Sequence, residues 1–143
     1  MNKNKFKNNI DNVKFFNLKT LVETDGNLVP IESNIDVPFT VERIFYVYGV
    51  RDQNDRGKHA HYETEQILVC LNGKLEVSCD DGTNKRKYLL ESPQQALYIP
   101  AMIWDETVYL SKDTVMLALC NSNYDVDDYI NDYKKFKSLK NEL

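Results

Sequence analysis

Two histidines carry the most chemical information in this 143-residue sequence. They are His59 and His61, and the chain contains no other histidine. On an extended strand, residues i and i+2 point to the same face and lie ~7 Å apart. Imidazole is the side chain whose ordinary pKa falls between about pH 5 and 8. The spacing therefore predicts that both imidazole rings of the chain lie at one place, where they could transfer protons or bind a metal.

The elements that position this pair are predicted to be strands. Asp25-Gly26, Asn72-Gly73 and Asp81-Gly82 are turn signals between extended, apolar-rich runs. Strands of this kind without interleaved helices predict an all-β fold, either a barrel or a double-sheet jelly roll. The predicted extended runs are 15–24, 28–32, 39–50, 59–71, 74–79, 85–90, 95–100, 107–110 and 114–120.

The spacing of the apolar residues changes from a strand period to a helix period only near the end of the chain. Apolar residues from 125 to 139 recur at 3- and 4-residue spacing, which predicts an amphipathic helix with Asp125 as its N-cap. The N-terminal residues 1–12 form a polar arm. Because the sequence contains no linker or repeat, residues 1–143 are predicted to form a single domain.

Composition excludes several classes of function. A net charge of −4 argues against nucleic-acid binding, which favours a basic stripe. No apolar run approaches the ~18 residues of a membrane span, and the N-terminus lacks the apolar core of a signal peptide. The odd cysteine count and the spacing of Cys70, Cys79 and Cys120 match no zinc pattern, so buried reduced thiols in a cytoplasmic protein are expected.

The segment that follows the histidines contains further candidate ligands. The spacing His59-x-His61-x3-Glu65-x7-Gly73 resembles the first motif of the cupin superfamily, which places two His and one Glu inside a jelly-roll barrel and which supplies metal ligands in the metal-binding cupins. In the second cupin motif a further ligand follows a proline, and the offset places Asp105 there. One hypothesis is therefore a metal-dependent cupin that uses His59, His61, Glu65 and Asp105, a set suited to Fe(II), Mn(II) or Zn(II).

Three longer motifs resemble a narrower family. They are Arg56-Gly-x-His-Ala-His-x3-Glu-Gln66, Leu97-Tyr-Ile-Pro-x-Met-Ile-Trp104 and Tyr124-Asp-x-x-Asp-Tyr-Ile130. In this order they are similar to the cupin-superfamily 3,4-ketoisomerases that act on dTDP-4-keto-6-deoxyglucose. The resemblance implies a homodimer with an exchanged N-terminal strand, no metal or other cofactor, and an acid–base role for the histidines. One departure is Asp105, where the family commonly has Arg or His.

This reaction suits the residue types. It moves a ketone from C4 to C3 of the sugar through an enediol(ate), and histidine has the pKa of an effective general base. We expect His61 to be the principal base and His59 its partner. Tyr46 and Tyr48 share one strand face, and either could hydrogen-bond the sugar or a phosphate; Tyr46 is assigned to catalysis and Tyr48 to substrate binding.

The remaining candidates would bind the nucleotide sugar. Arginine forks suit the pyrophosphate, which favours Arg56 and Arg43; Glu65 is expected to orient a histidine, whereas Gln66 falls on the opposite face of a continuous strand. The further predicted substrate contacts are Lys58, Tyr98, Trp104 and Asp105, with the two aromatic rings as candidates for stacking on thymine. Because Asp105 departs from the family, a third hypothesis is a non-catalytic nucleotide-sugar-binding module.

Overall fold

A computed structural model describes residues 3–51 and 54–142 and confirms an all-β fold with one C-terminal helix. Most strands are three to seven residues long and are joined by short turns. The strands are β1 (Lys14–Asn17), β2 (Leu21–Glu23), β3 (Gly26–Leu28), β4 (Arg43–Val47), β5 (Asp55–His61), β6 (Gln66–Asn72), β7 (Leu75–Asp80), β8 (Lys85–Leu90), β9 (Gln95–Ile99), β10 (Trp104–Tyr109), β11 (Val115–Cys120) and β12 (Tyr129–Ile130); the helix is α1 (Tyr133–Asn141).

Two antiparallel five-stranded sheets form a jelly-roll sandwich. The first sheet has the order β1-β9-β6-β11-β4, and the second has the order β12-β5-β10-β7-β8. Side chains alternate across each strand, so that one face of each sheet is apolar and packs against the other sheet. The central core accordingly combines Leu68 and Leu97 of the first sheet with Leu75 and Val77 of the second.

Two further apolar layers cover the outer faces of the sandwich. The irregular segment after β3 brings Val37 and Phe39 onto Ile67 and Leu119 of the first sheet. A third cluster lies beneath α1 and contains Trp104, Ile130 and Phe136. Cys70, Cys79 and Cys120 are buried free thiols within the sandwich, as predicted.

The predicted helix over 125–139 is wrong in its first half. Asp125 caps a short 3-10 helix, Val126–Asp128, and not the α-helix. The chain then extends, because Tyr129 and Ile130 pair with His61 and Ala60 of β5. The helix α1 begins only afterwards and is capped by Asp132, whose side chain accepts hydrogen bonds from the backbone of Lys134 and Lys135. Sheet pairing thus overrides the helical period at this point.

The start of the chain also differs from the prediction. The expected strand over 15–24 is divided into β1, which pairs with β9, and β2, which pairs with β3. In the predicted arm over 1–12, the described residues include two short 3-10 helices, Lys3–Lys7 and Ile10–Asn12. The Lys140 ammonium of α1 donates to the backbone carbonyls of Phe6, Asn8 and Met102, which attaches this segment to the sandwich. Within the described residues, no helix is long and apolar enough to span a membrane.

Candidate active site

A cavity of about 270 Å³ opens between the two sheets. Inward side chains of β4, β5, β6, β10 and β11 line it, and Tyr129 of β12 closes one side. A concave site with a mainly apolar wall and a few polar groups is typical of small-molecule binding. Its polar lining includes Arg56, His59, Gln66, Asp105, Thr107 and Tyr129.

A glycine bulge gives β5 its shape at the cavity. His59 pairs with Asp105, whereas Thr107 pairs with Arg56, so β5 carries one extra residue against β10. Gly57 lies in this bulge at φ +68, in the left-handed region that favours glycine. A Cβ at Gly57 would lie 3.6 to 3.8 Å from atoms of Thr107, Asp105 and His59. The Arg-Gly sequence before the histidines therefore allows Arg56 and His59 to reach the same cavity.

The two histidine rings meet as the spacing predicts. Their centroids are 4.9 Å apart in an edge-to-face arrangement. His59 borders the cavity, and its burial together with the neighbouring His61 lowers the pKa of His59 to about 4. His59 is therefore neutral at neutral pH, with a lone pair free to accept a proton or a hydrogen bond.

Asp128 orients His61, a contact that the sequence analysis missed. The Nδ1 atom of His61 lies 3.1 Å from Oδ2 of Asp128. Asp128 also accepts hydrogen bonds from the backbone of Glu63 and from the hydroxyl of Thr64. Burial acts to raise the pKa of Asp128, but the hydrogen bonds from His61 and Thr64 outweigh it and lower the pKa to about 2. The ionised carboxylate favours Nδ1–H on His61 and leaves Nε2 as the basic atom.

Asp105 is a buried carboxyl group in the cavity wall. Only 3% of the residue is exposed, and its Oδ2 accepts a hydrogen bond of 3.3 Å from Nε2 of Gln66. Burial, reinforced by the charge of Glu106, raises the pKa of Asp105 well above its ordinary value. A carboxyl group in this environment favours its neutral form. The prediction that Gln66 faces away from the site is wrong.

The structure does not place Glu65 at the histidines. Glu65 accepts hydrogen bonds from the hydroxyl of Tyr98 and from Nδ2 of Asn121, on the outer side of the first sheet. Residues 62–65 form a bend between β5 and β6, so the alternation of faces is interrupted after His61. Asp128 occupies the orienting role that had been predicted for Glu65.

The four residues proposed as metal ligands are consequently not brought together. His59 and Asp105 line the cavity, the His61 ring packs against His59, and Glu65 is held on another face. Among the described residues, no group of three or more His, Cys, Asp or Glu side chains has a metal-binding arrangement. The side chains present therefore do not fit the four-ligand cupin site.

Two aromatic residues predicted to stack on thymine lie outside the cavity. Trp104 faces the outer side of β10, where it packs against Tyr133 and Phe136 and donates from Nε1 to Glu106 at 3.1 Å. Tyr98 packs in the layer that covers the first sheet. Strand alternation turns both rings outwards, so neither lines the cavity, and their stacking on thymine stays a prediction.

The predicted tyrosines of β4 also point outwards. Phe45 and Val47 face the cavity, whereas Tyr46 and Tyr48 are 63% and 71% exposed on the other face. Neither tyrosine lines the cavity of its own chain, so the structure does not join the predicted catalytic Tyr46 to the histidines.

The predicted basic residues also differ in whether they lie at the cavity. Lys58 is exposed and forms an ion pair of 2.6 Å with Asp55, so it is not a cavity residue. Arg56 is at the cavity, and the guanidinium of Arg43 lies 5.7 Å from the ring centroids of both Phe45 and Tyr124.

Comparison with known proteins identifies the family. A model of the family described as FdtA (WxcM-like, C-terminal) matches residues 11–141. The chain belongs to this family. A family member, the TDP-4-oxo-6-deoxy-alpha-D-glucose-3,4-oxoisomerase of Aneurinibacillus thermoaerophilus, is 40% identical over 124 residues, which are 87% of this chain and 89% of that protein.

Solved structures of 3,4-ketoisomerases have the same fold. QdtA from Thermoanaerobacterium thermosaccharolyticum, crystallised with TDP, superposes with a TM-score of 0.89 at 31% identity and covers 93% of this chain and 97% of its own. WlaRA from Campylobacter jejuni, a TDP-fucose-3,4-ketoisomerase, has a TM-score of 0.87 at 38% identity and covers 92% and 98%. A histidine-to-asparagine variant of QdtA was crystallised with TDP-4-keto-6-deoxyglucose. The resemblance proposed from the three motifs is confirmed.

Proposed function

We propose that this protein is a 3,4-ketoisomerase that converts dTDP-4-keto-6-deoxy-D-glucose into its 3-keto isomer in deoxysugar biosynthesis. The observation that carries the proposal is the histidine pair, in which His59 lines the cavity and the adjacent His61 ring is oriented by a carboxylate. Membership of the family and the 40% identity to a TDP-4-oxo-6-deoxyglucose 3,4-oxoisomerase support the substrate class.

The reaction needs proton transfer and no change of oxidation state overall. The C3–H bond breaks and its proton passes to a histidine, while a C3=C4 double bond forms and the C4 carbonyl oxygen takes up negative charge. A proton then returns to C4, the O3 hydroxyl loses its proton, and O4 gains one, which leaves the ketone at C3. Each proton lost is matched by a proton gained, so histidine chemistry is sufficient and we propose that no metal or other cofactor takes part.

We assign the principal base to His61 and the partner role to His59. The Asp128 carboxylate accepts the Nδ1 proton of His61, which orients the ring and leaves Nε2 to accept a proton from the substrate. Burial lowers the pKa of His59, so after receiving a proton it readily gives that proton up. This property suits His59 to the return of a proton or to binding a sugar hydroxyl. Arg56, at the cavity, is assigned to the pyrophosphate because its fork can bind phosphate oxygens in pairs.

The test is turnover in D2O with purified protein and dTDP-4-keto-6-deoxyglucose. We expect NMR to show a 3-keto product that carries deuterium at C4. His61→Asn should abolish exchange of the C3 hydrogen, and His59→Asn should leave slow exchange with less product. Tight TDP binding by an inactive wild-type protein would instead identify a binding module. Turnover that disappears with chelator and returns with added metal would refute the metal-independent mechanism.

We further propose a homodimer in which the N-terminal hairpin is exchanged between subunits. Among the described strands, β2 and β3 pair only with each other, and their Leu21, Val22 and Leu28 side chains are exposed. The strand β4 lies at the edge of the first sheet and exposes Ile44, Tyr46 and Tyr48. An apolar hairpin and an apolar sheet edge left unpaired on one chain complement each other in a second copy. This arrangement gives the outward tyrosines of β4 a partner to contact.

The buried, unpaired thiols support a proposed cytoplasmic location. Cys70, Cys79 and Cys120 are free and buried, as expected for a chain kept under reducing conditions. A nucleotide-sugar substrate would be made in the same compartment.

A further inference from the structure

The Tyr129 ring packs against both histidine rings at the cavity. Its ring centroid is 4.5 Å from that of His61 and 5.1 Å from that of His59. Its backbone pairs with His61 across the β12–β5 ladder, so the ladder fixes the position of the tyrosine relative to the base. Tyr129 also contributes to the cavity wall. A reacting carbon within reach of the histidines would therefore have its oxygen close to this phenol.

The other two hydroxyl side chains that line the cavity are already engaged. The Thr107 hydroxyl donates to the backbone carbonyl of Arg56 at 3.0 Å, and the Tyr109 hydroxyl donates to the sulfur of Met116 at 3.7 Å. The Gln66 amide donates to Asp105. Among the described hydroxyl side chains of this wall, the Tyr129 phenol is thus the one whose O–H has no acceptor within the chain.

Arg43 adds a cation on the far side of the phenol. It begins β4, at the edge of the first sheet, while Tyr129 lies in β12 at the edge of the second sheet. Burial raises the pKa of Tyr129, and the charge and hydrogen bonding of the Arg43 guanidinium act in the opposite direction. Because arginine can only donate, a hydrogen bond between the two groups has the phenol oxygen as acceptor and leaves its O–H to donate elsewhere. Nε of Arg43 is itself buried without a hydrogen-bond partner among the described residues.

We propose that Tyr129 is a further catalytic residue, whose phenol donates a hydrogen bond to the sugar oxygen that becomes negatively charged in the enediolate, and that Arg43 is its positioning residue. This inference rests on the proposed ketoisomerase function and adds an oxyanion-stabilising group to the histidine pair. The charge develops on the oxygen as the C3–H bond breaks. A donor fixed in advance at that position stabilises the transition state more than the bound substrate.

Tyr129→Phe removes the hydroxyl and keeps the ring that packs on the histidines. We expect kcat to fall by about 10²-fold, because one oxyanion donor is lost. The Kd for TDP should stay within about two-fold of wild type. Tyr124→Phe is the matched control. It makes the same change on an exposed ring 5.8 Å from that of Tyr129, and it should leave kcat within about two-fold of wild type.

Arg43→Gln separates positioning of Tyr129 from a contact with the pyrophosphate. A positioning role predicts that kcat falls by about 10-fold with KM nearly unchanged, and that Arg43→Gln adds little once Tyr129→Phe is present. A pyrophosphate contact predicts a raised KM and additive effects, and it would overturn the role given to Arg43. Wild-type kcat in Tyr129→Phe would overturn the catalytic role of Tyr129 alone. Absence of turnover in the wild-type protein would instead reject the proposed function on which the inference rests.

Discussion

Nδ1 of His61 lies 3.1 Å from Oδ2 of Asp128, although 67 positions separate the two residues in the sequence. The contact exists because β12 pairs with β5 and brings the Tyr-Asp-x-x-Asp-Tyr-Ile segment against the histidine strand. Thr64 and Glu63 hold the same carboxylate from the bend after β5. The imidazole is therefore fixed in position and in tautomer before substrate binds.

Asp128→Asn should impair catalysis more than folding. The amide can donate a hydrogen bond to Nδ1, which favours the wrong tautomer of His61 and places the proton on Nε2. We expect kcat to fall by ~10² to 10⁴-fold with TDP binding retained, as measured by turnover and by calorimetric titration. Asp127→Asn, an exposed neighbour with the same chemical change, is the control and should retain activity. Equal effects of the two substitutions would refute an orienting role for Asp128.

The acid sensitivity of the fold should depend on His59. Its pKa is lowered from 6.5 to about 4 in the folded protein, so the unfolded chain binds more protons between these values. The free energy of unfolding should therefore decrease as pH falls from about 6.5 to about 4. His59→Asn should flatten this part of the profile, measured by urea denaturation across the pH range. An unchanged slope would show that His59 titrates alike in both states.

Asp105 should give the free energy of unfolding a pH dependence of opposite sign to that from His59. Because burial raises its pKa, the folded state binds more protons than the unfolded state above the ordinary carboxyl pKa, and stability is lost as pH rises. Asp105→Asn resembles the neutral acid and should be the more stable protein. Its advantage should grow with pH by at most about 1.4 kcal/mol per pH unit until the folded pKa is reached. A constant or shrinking difference in urea denaturation would contradict a neutral Asp105.

Glu65→Gln distinguishes a structural carboxylate from a metal ligand. Glu65 holds Tyr98 and Asn121 on the outer side of the first sheet, so its replacement should lower stability by ~1 to 3 kcal/mol. The kcat should change by less than about three-fold, because the cavity is untouched. Thermal unfolding and turnover are measured on the same preparation. A large loss of kcat without loss of stability would revive the metal hypothesis.

Val22→Asp should weaken the proposed dimer. Val22 is 78% exposed in the hairpin of β2 and β3, and a carboxylate there would have to be buried without a partner at the interface. We expect light scattering to show dimers for the wild type and a shift towards monomers for the variant. Leu89→Asp makes the matched apolar-to-carboxylate change at an exposed residue of β8, on the second sheet, and serves as the control. A monomeric wild type would refute the exchanged dimer.

The sequence by itself determined most of the strands, the meeting of the two histidines and the family. Turn signals and alternation are local properties, and residues i and i+2 of one strand share a face whatever the rest of the chain does. These features needed no knowledge of distant contacts.

Only the tertiary structure decided which side chains surround the histidines. The bend at 62–65 breaks the alternation, so Gln66 enters the cavity and Glu65 leaves it. Pairing of β12 with β5 replaces half of a predicted helix and delivers Asp128 and Tyr129, which had stood only in the least specific of the three motifs. Strand register and sheet order are set by the packing of the whole core, and a single sequence records that packing only indirectly.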